Sequence, residues 1–252
     1  MAGDGNHAPT ANGGGARLAE SNRTPTEEMY GDLQRAYKLF NSELFDDSLP
    51  ECLITLRARG RTNGYFSEAR FVHPDGGRTA EIALNPERFY TRTIEACLST
   101  LVHELAHQWF GDAVSPREWD DIWLNEGFAT YLEWVYEGEH DGDDPATRFA
   151  ALYREYADDP GFWRPAPHRL PNARYLFDYN AVYTRGAMTL EVLRQRVGDD
   201  DFWQIVRTWV RRYDGRSAST EQFVALAQDV SGQDLSRLFT DWLDTPRYPA
   251  GY

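Results

Sequence analysis

Apolar positions first recur at helical spacing over Met29, Tyr30, Leu33, Tyr37, Phe40, Leu44 and Phe45, which predicts an amphipathic helix from Thr26 that breaks at Ser48-Leu49-Pro50. Three short β-like runs follow, CLITLRA, NGYFSEARF and AEIALN, separated by turn material such as Arg61-Thr62-Asn63-Gly64 and His73-Pro74-Asp75-Gly76-Gly77. They predict a small, mostly antiparallel sheet. From Thr93 the pattern is helical almost to the end, with breaks at Gly111, Gly138 to Asp144, Pro160 to Pro171, Gly198, Asp214-Gly215, Gly232 and Pro246. The first two dozen residues hold almost no large side chains and cannot repay the entropy of ordering, so 1–25 read as a disordered leader. The expected class is α+β: a helix and sheet lobe over 26–111, ending in a helix that carries His103 and His107, then a helical lobe over 112–252.

Composition narrows the function. A chain of 252 residues can bury a sizeable core without disulfides. Its two cysteines, Cys52 and Cys97, sit in apolar contexts that read as core thiols, which favours a reducing compartment. A formal net charge of −14 repels phosphate backbones, so nucleic acid is not the expected partner. No apolar run is long enough to span a bilayer, and the N-terminus lacks the apolar stretch of a secretory signal. The expected location is the cytoplasm, with no membrane partner.

The most specific signal is His103-Glu104-x-x-His107 within the helical run TIEACLSTLVHELAHQWFGD. Residues four apart share a helix face, so two imidazole nitrogens can reach one zinc ion, while Ile94, Leu98, Leu101 and Leu105 anchor the helix. Glu104, beside the pair, is placed to take a proton from water activated at the metal. A catalytic site needs a third protein ligand and an open position. Glu126 offers it, in a second helical pattern, DDIWLNEGFATYLEW, whose apolar neighbours Ile122, Trp123, Leu124 and Phe128 predict burial. A buried carboxylate needs a partner, and metal ligation would supply one. Glu133, two turns further along nearly the same face, could orient a histidine ligand, although an exposed helix charge is the commoner fate.

HELAHQWFGD followed by WLNEGFATYLEW resembles the zinc-binding signature of the aminopeptidase N family of gluzincins, and the likeness runs on to WLDTPRYPAG. That resemblance implies a thermolysin-like catalytic architecture with one zinc ion per chain and peptide or protein substrates. In VYTRGAM it places Tyr183 where the family has a tyrosine that hydrogen-bonds the tetrahedral intermediate, a role a phenol O–H can fill. Arg185 beside it is expected to be a solvated helix arginine. Upstream, from about Tyr30 to Trp109, the chain is more similar to SprT-like zinc metallopeptidase domains. Those complete the metal site with a third histidine, but only His140 and His168 follow His107, both in loop-like contexts, which leaves Glu126 as the preferred ligand.

Aminopeptidases of this family bind the substrate amine partly through a G-x-M-E-N strand motif, and no such motif occurs here. The strand AEIALNP is expected to be the edge that aligns an extended substrate. The leading reading is an aminopeptidase or short-peptide hydrolase. A SprT-like endopeptidase and a zinc-binding protein without catalytic activity are the alternatives, and the oligomeric state is left open.

Overall fold

The computed structural model describes residues 25–45, 47, 49–58, 63–74, 76–89, 91–140 and 142–252, so the expected leader, apart from Pro25, lies outside the described residues. Helix α1 (Pro25–Phe45) follows the predicted periodicity and turns Leu33, Tyr37 and Phe40 into the core. Its end is pinned to the chain that follows by the buried amide of Asn41, which donates to the Leu49 carbonyl and accepts from the Leu49 N–H, each at 3.0 Å. The Tyr37 hydroxyl donates to the Pro50 carbonyl nearby.

Strands β1 (Cys52–Leu56), β2 (Gly64–Val72) and β3 (Arg78–Leu84) form one sheet in the order β1-β3-β2. The hairpin pair β2 and β3 is antiparallel, and β1 joins the other side of β3 in parallel, which makes the sheet mixed. The expectation that AEIALNP forms a free edge is corrected here. β3 takes the central place with a neighbour on each side, and its Ile82, Ala83 and Leu84 are at most 1% exposed. The edge that lies beside the α3 helix belongs to β2.

The outer sheet face is closed by an ionic cluster. Glu81 on β3 is fully buried, accepts from Thr55 at 2.7 Å and Tyr65 at 3.3 Å, and pairs with Arg57 at 3.0 Å and Arg70 at 3.4 Å. A carboxylate can sit there because both its oxygens are paired.

A short helix α2 (Pro86–Phe89) leads to α3 (Ile94–Ala106), started by Thr93, whose hydroxyl accepts from the Ala96 N–H. Cys97, Leu101, Val102, Leu105 and Ala106 seat α3 against the core. The two free cysteines are buried, as the composition suggested, and burial pushes the Cys52 thiol up to about 12. Beyond Gly111 the chain reverses through β4 (Val114–Pro116), enters α4 (Trp123–Glu139) and continues as α5 (Pro145–Glu155).

After the proline-rich stretch, a π-helical turn over Tyr179–Thr184 runs into α6 (Arg185–Val197), followed by α7 (Asp199–Tyr213), β5 (Arg216–Ala218), α8 (Thr220–Ser231) and α9 (Ser236–Phe239). Breaks fall at the glycines seen in the sequence: Gly198 between α6 and α7, Gly215 before β5, and Gly232 closing α8 in the left-handed region at φ 65°. β5 pairs in parallel with β4, tying the reversal after α3 to the later helices.

The helical side is organised by one backbone contact. A Cβ on Gly127 of α4 would stand 2.9 Å from the Gly186 Cα of α6, so the two helices touch main chain to main chain. Only glycine at both positions allows that approach. It carries the segment before α6 to the first turn of α4. Among the described residues, no helix is long and apolar enough to cross a membrane.

A cleft of about 990 Å³ opens between the sheet and α7, lined in part by Phe66, Glu68, Trp109, Asp112, Arg207 and Arg211. Burial pushes the Asp112 carboxyl up to about 7, with Glu68 adding to the rise and His107 opposing it. Between the ordinary carboxylate range and about pH 7, the folded chain therefore holds a proton that the unfolded chain has released. Stability falls as pH rises through that window. Thermal melts should show Asp112→Asn gaining stability relative to the unaltered chain at pH 8 and little difference near pH 4.

Candidate metal centre and active site

Helix α3 sets His103 and His107 on one face with ring centroids 4.8 Å apart and planes at 79°. Each imidazole is oriented through its Nδ1. That of His107 lies 3.2 Å from the Phe110 carbonyl, which can only accept, so Nδ1 carries a proton and Nε2 is the nitrogen turned towards Glu126. That of His103 lies 3.4 Å from Glu133 Oε2 on α4. Glu133 thus faces His103 from the side its spacing suggested, and Ser99 of α3 donates to Glu137 at 2.8 Å and reaches Glu133 at 3.4 Å.

Both Nε2 atoms face Glu126, in the first turn of α4. Its Oε2 lies 3.4 Å from His103 Nε2 and 3.4 Å from His107 Nε2. Burial alone would raise the Glu126 carboxyl, but the two imidazoles overcome it and hold it down at about 2. Ligand atoms about 2.0–2.1 Å from a tetrahedral zinc ion stand about 3.4 Å from one another, so two imidazoles and one carboxylate at these separations fit that ion. His103, His107 and Glu126 are the residues that could hold it. His140 and His168 are not part of this group.

Glu104 points from α3 towards the Gly64 end of β2 and is buried. Burial pushes its carboxyl upward, opposed by the charges of His103 and His107. A Cβ on Gly64 would come within 2.9 Å of Glu104 Oε1 and 3.1 Å of the Ala83 carbonyl, so the absence of a side chain there makes the space that the carboxylate occupies.

Tyr183 enters from the π-helical turn. Its ring stacks over His103 with centroids 6.1 Å apart and planes at 12°, and Tyr179 stacks on it in turn at 6.0 Å and 21°. Burial, then the nearby Glu126 carboxylate, push the Tyr183 phenol well above its usual range, so it stays protonated and able to donate.

The sequence-derived set, Glu104, Tyr183, His103, His107 and Glu126, is thus brought together. Arg185 departs from expectation: it is fully buried and donates to the Trp163, Asp241 and Thr245 carbonyls at 2.8, 3.1 and 2.6 Å. The loop before α6 and the chain after α9 wrap over it, and burial lowers its guanidinium to about 9. Gly64, read from the sequence as turn material, instead opens β2, and Tyr179 was not singled out. An isolated glycine inside a strand pattern was the available sign for Gly64; Tyr179 carried none beyond being aromatic.

Residues 77–242 match the Peptidase family M1 domain, and residues 33–117 match the SprT-like family, so both matches include α3. Aminopeptidase N of Lactococcus lactis is 31% identical over 66% of this chain and 20% of its own length, and Probable aminopeptidase 2 of Sulfurisphaera tokodaii is 30% identical over 61% and 20%. The chain spans about a fifth of the length of these curated relatives. Among solved structures, the M1 zinc metallopeptidase of Deinococcus radiodurans superposes with a TM-score of 0.60 at 26% identity, covering 94% of this chain and 48% of that one. A mutant of the same protein was solved bound to a Tyr-Ser-Ala substrate, with 90% and 46% covered. Legionella pneumophila aminopeptidase A shares the fold, with a TM-score of 0.62 at 19% identity over 85% of this chain and 24% of that one.

Replacing Gly64 with alanine should displace the Glu104 carboxylate and lower turnover about a hundredfold, while metal content, read by elemental analysis, stays unchanged. Unaltered turnover would show that the space beside Glu104 is not needed. With its fold, its assembled site and a family match that runs through two thirds of its length, this chain belongs to peptidase family M1.

Proposed function

We propose that the chain is a zinc-dependent peptide hydrolase of the gluzincin type, acting as an aminopeptidase or short-peptide hydrolase with one zinc at this site. The observation that carries the reading is the equal 3.4 Å separation of Glu126 Oε2 from both histidine Nε2 atoms. His103, His107 and Glu126 would hold the ion, which when bound supplies Lewis acidity towards a scissile carbonyl and towards water.

The remaining chemistry falls to side chains of the chain itself. Glu104 accepts the proton of the attacking water and returns it to the leaving amine; burial raises its basicity towards what that transfer needs. Tyr183 donates its O–H to the oxyanion as charge develops there. Glu133 holds the His103 ring in place through Nδ1. An extended substrate lies along the free edge of β2, whose Gly64 end abuts Glu104, and bonds to it main chain to main chain.

Names of the relatives and the tripeptide held by the Deinococcus protein support short peptides as substrates. The division at residues 111 and 112 belongs to the same reading: the SprT-like part contributes β2 and α3, and the later helices contribute Glu126 and Tyr183. The free buried thiols support a reducing, cytoplasmic setting. One observation favours a second reading. The sequence lacks the G-x-M-E-N amine-binding strand motif, so an endopeptidase that does not require a free amine is the alternative.

Leucyl and alanyl anilides tested beside internally quenched peptides, with and without chelator, separate the two. Chelator-sensitive anilide cleavage is expected, and cleavage of quenched peptides alone would favour the endopeptidase. Glu104→Gln should abolish either activity, a loss of about a thousandfold or more, with zinc still bound. Retained activity in that variant would overturn the role given to Glu104.

A further inference from the structure

Away from α3, a second convergence of metal-binding groups joins three distant parts of the chain. His168 comes from the proline-rich stretch, Asp121 from the turn just before α4, and Glu221 from the first turn of α8. One ligand atom from each lies within 4.8 Å of the other two. His168 Nε2 stands 3.5 Å from Asp121 Oδ1 and 3.8 Å from Glu221 Oε1.

Those gaps are informative. A direct imidazolium hydrogen bond to carboxylate closes to about 2.7–2.9 Å, whereas atoms sharing one ion stand near 3.4 Å apart. The other ring nitrogen of the same histidine does reach a carboxylate, with Nδ1 3.1 Å from Asp244 Oδ1. An imidazole held by a carboxylate through one nitrogen and facing two more carboxylates across a wider gap through the other is the arrangement of a ligating histidine. Asp121 is fixed in place: its Oδ1 accepts from the Thr220 N–H at 2.8 Å and the Thr220 hydroxyl at 2.7 Å, and its Oδ2 from the Glu118 N–H at 3.1 Å.

Charge points the same way. Asp121, Glu221 and Asp244 bring three carboxylates together, and Arg169, 3.1 Å from Asp244, is the guanidinium that faces them. A divalent cation taking the place of the ring proton that His168 shares with these carboxylates would balance the group.

We propose that His168, Asp121 and Glu221 form a second divalent-metal site of zinc type, with Asp244 orienting His168. Its nitrogen and oxygen donors suit zinc or a neighbouring first-row ion. The ion would clamp the proline-rich stretch and the first turn of α8 onto the segment that launches α4, five residues ahead of Glu126. Occupancy would therefore stabilise the fold from outside the hydrolytic site, and the proposal stands whether or not the chain hydrolyses peptides.

The test is metal stoichiometry of the full chain by equilibrium dialysis against buffered free zinc, read by elemental analysis, with thermal melts on the same samples. The unaltered chain should bind two zinc ions. His168→Gln and Glu221→Gln should each bind one and lose the part of the zinc-dependent rise in Tm that belongs to the second ion. A variant lacking both His103 and His107 should still bind one, and Asp244→Asn should weaken the second ion about 10- to 100-fold. Glu221 is exposed, so its replacement reads the site even if His168→Gln folds poorly. One zinc in the unaltered chain with none in the variant lacking His103 and His107, or two zinc ions retained in both His168→Gln and Glu221→Gln, would overturn the proposal.

Discussion

A carboxylate buried between two helices constrains everything around it. Glu126 sits at the start of α4 with little access to solvent, and in that setting an ionised side chain costs several kcal/mol unless it is paired. His103 and His107 supply the pairing across the α3–α4 interface, and their Nδ1 atoms face Glu133 and the Phe110 carbonyl. Two imidazoles and a carboxylate therefore face a common point at separations that suit a zinc ion. The helices cannot slide past one another without separating these atoms.

Two close approaches deliver the remaining chemistry to that point. Gly127 and Gly186 let α4 and α6 meet at the backbone, and that contact sets the π-helical turn so that Tyr183 lies over His103. Gly64 lets β2 come up against Glu104. In both places the missing side chain is the functional feature: a methyl group would push a helix away from the site or the proposed base out of it. The site draws on α3, which lies in both family matches, on β2 from the SprT-like match, and on the later helices through Glu126 and Tyr183.

What could be read in advance follows the range of the interaction. The His103–His107 pairing depends on one helical turn, and the helix breaks depend on single glycines and prolines, so both were legible. Glu126 and Glu133 were legible because apolar neighbours marked their helix as buried and helical periodicity put them on one face. Strand order was not, since pairing between β1 and β3 is non-local and composition does not mark β3 as central: the more apolar run is CLITL, which became an edge. Arg185 was misread for a similar reason: nothing near it in the chain announces that the Trp163 loop and the segment from Asp241 to Thr245 fold over α6 and offer it three carbonyls. The spaces beside Gly64 and Gly127 are properties of the neighbour, and a glycine does not name its neighbour.

The most direct test of the account is the ligand set of the proposed catalytic metal. X-ray absorption at the zinc edge on the His168→Gln chain carrying one zinc would report that site alone. Nitrogen and oxygen neighbours at about 2.0–2.1 Å with the outer scattering of two imidazoles are expected, with a loss of zinc affinity in Glu126→Ala. Three imidazoles, or sulfur at about 2.3 Å, would contradict that ligand set.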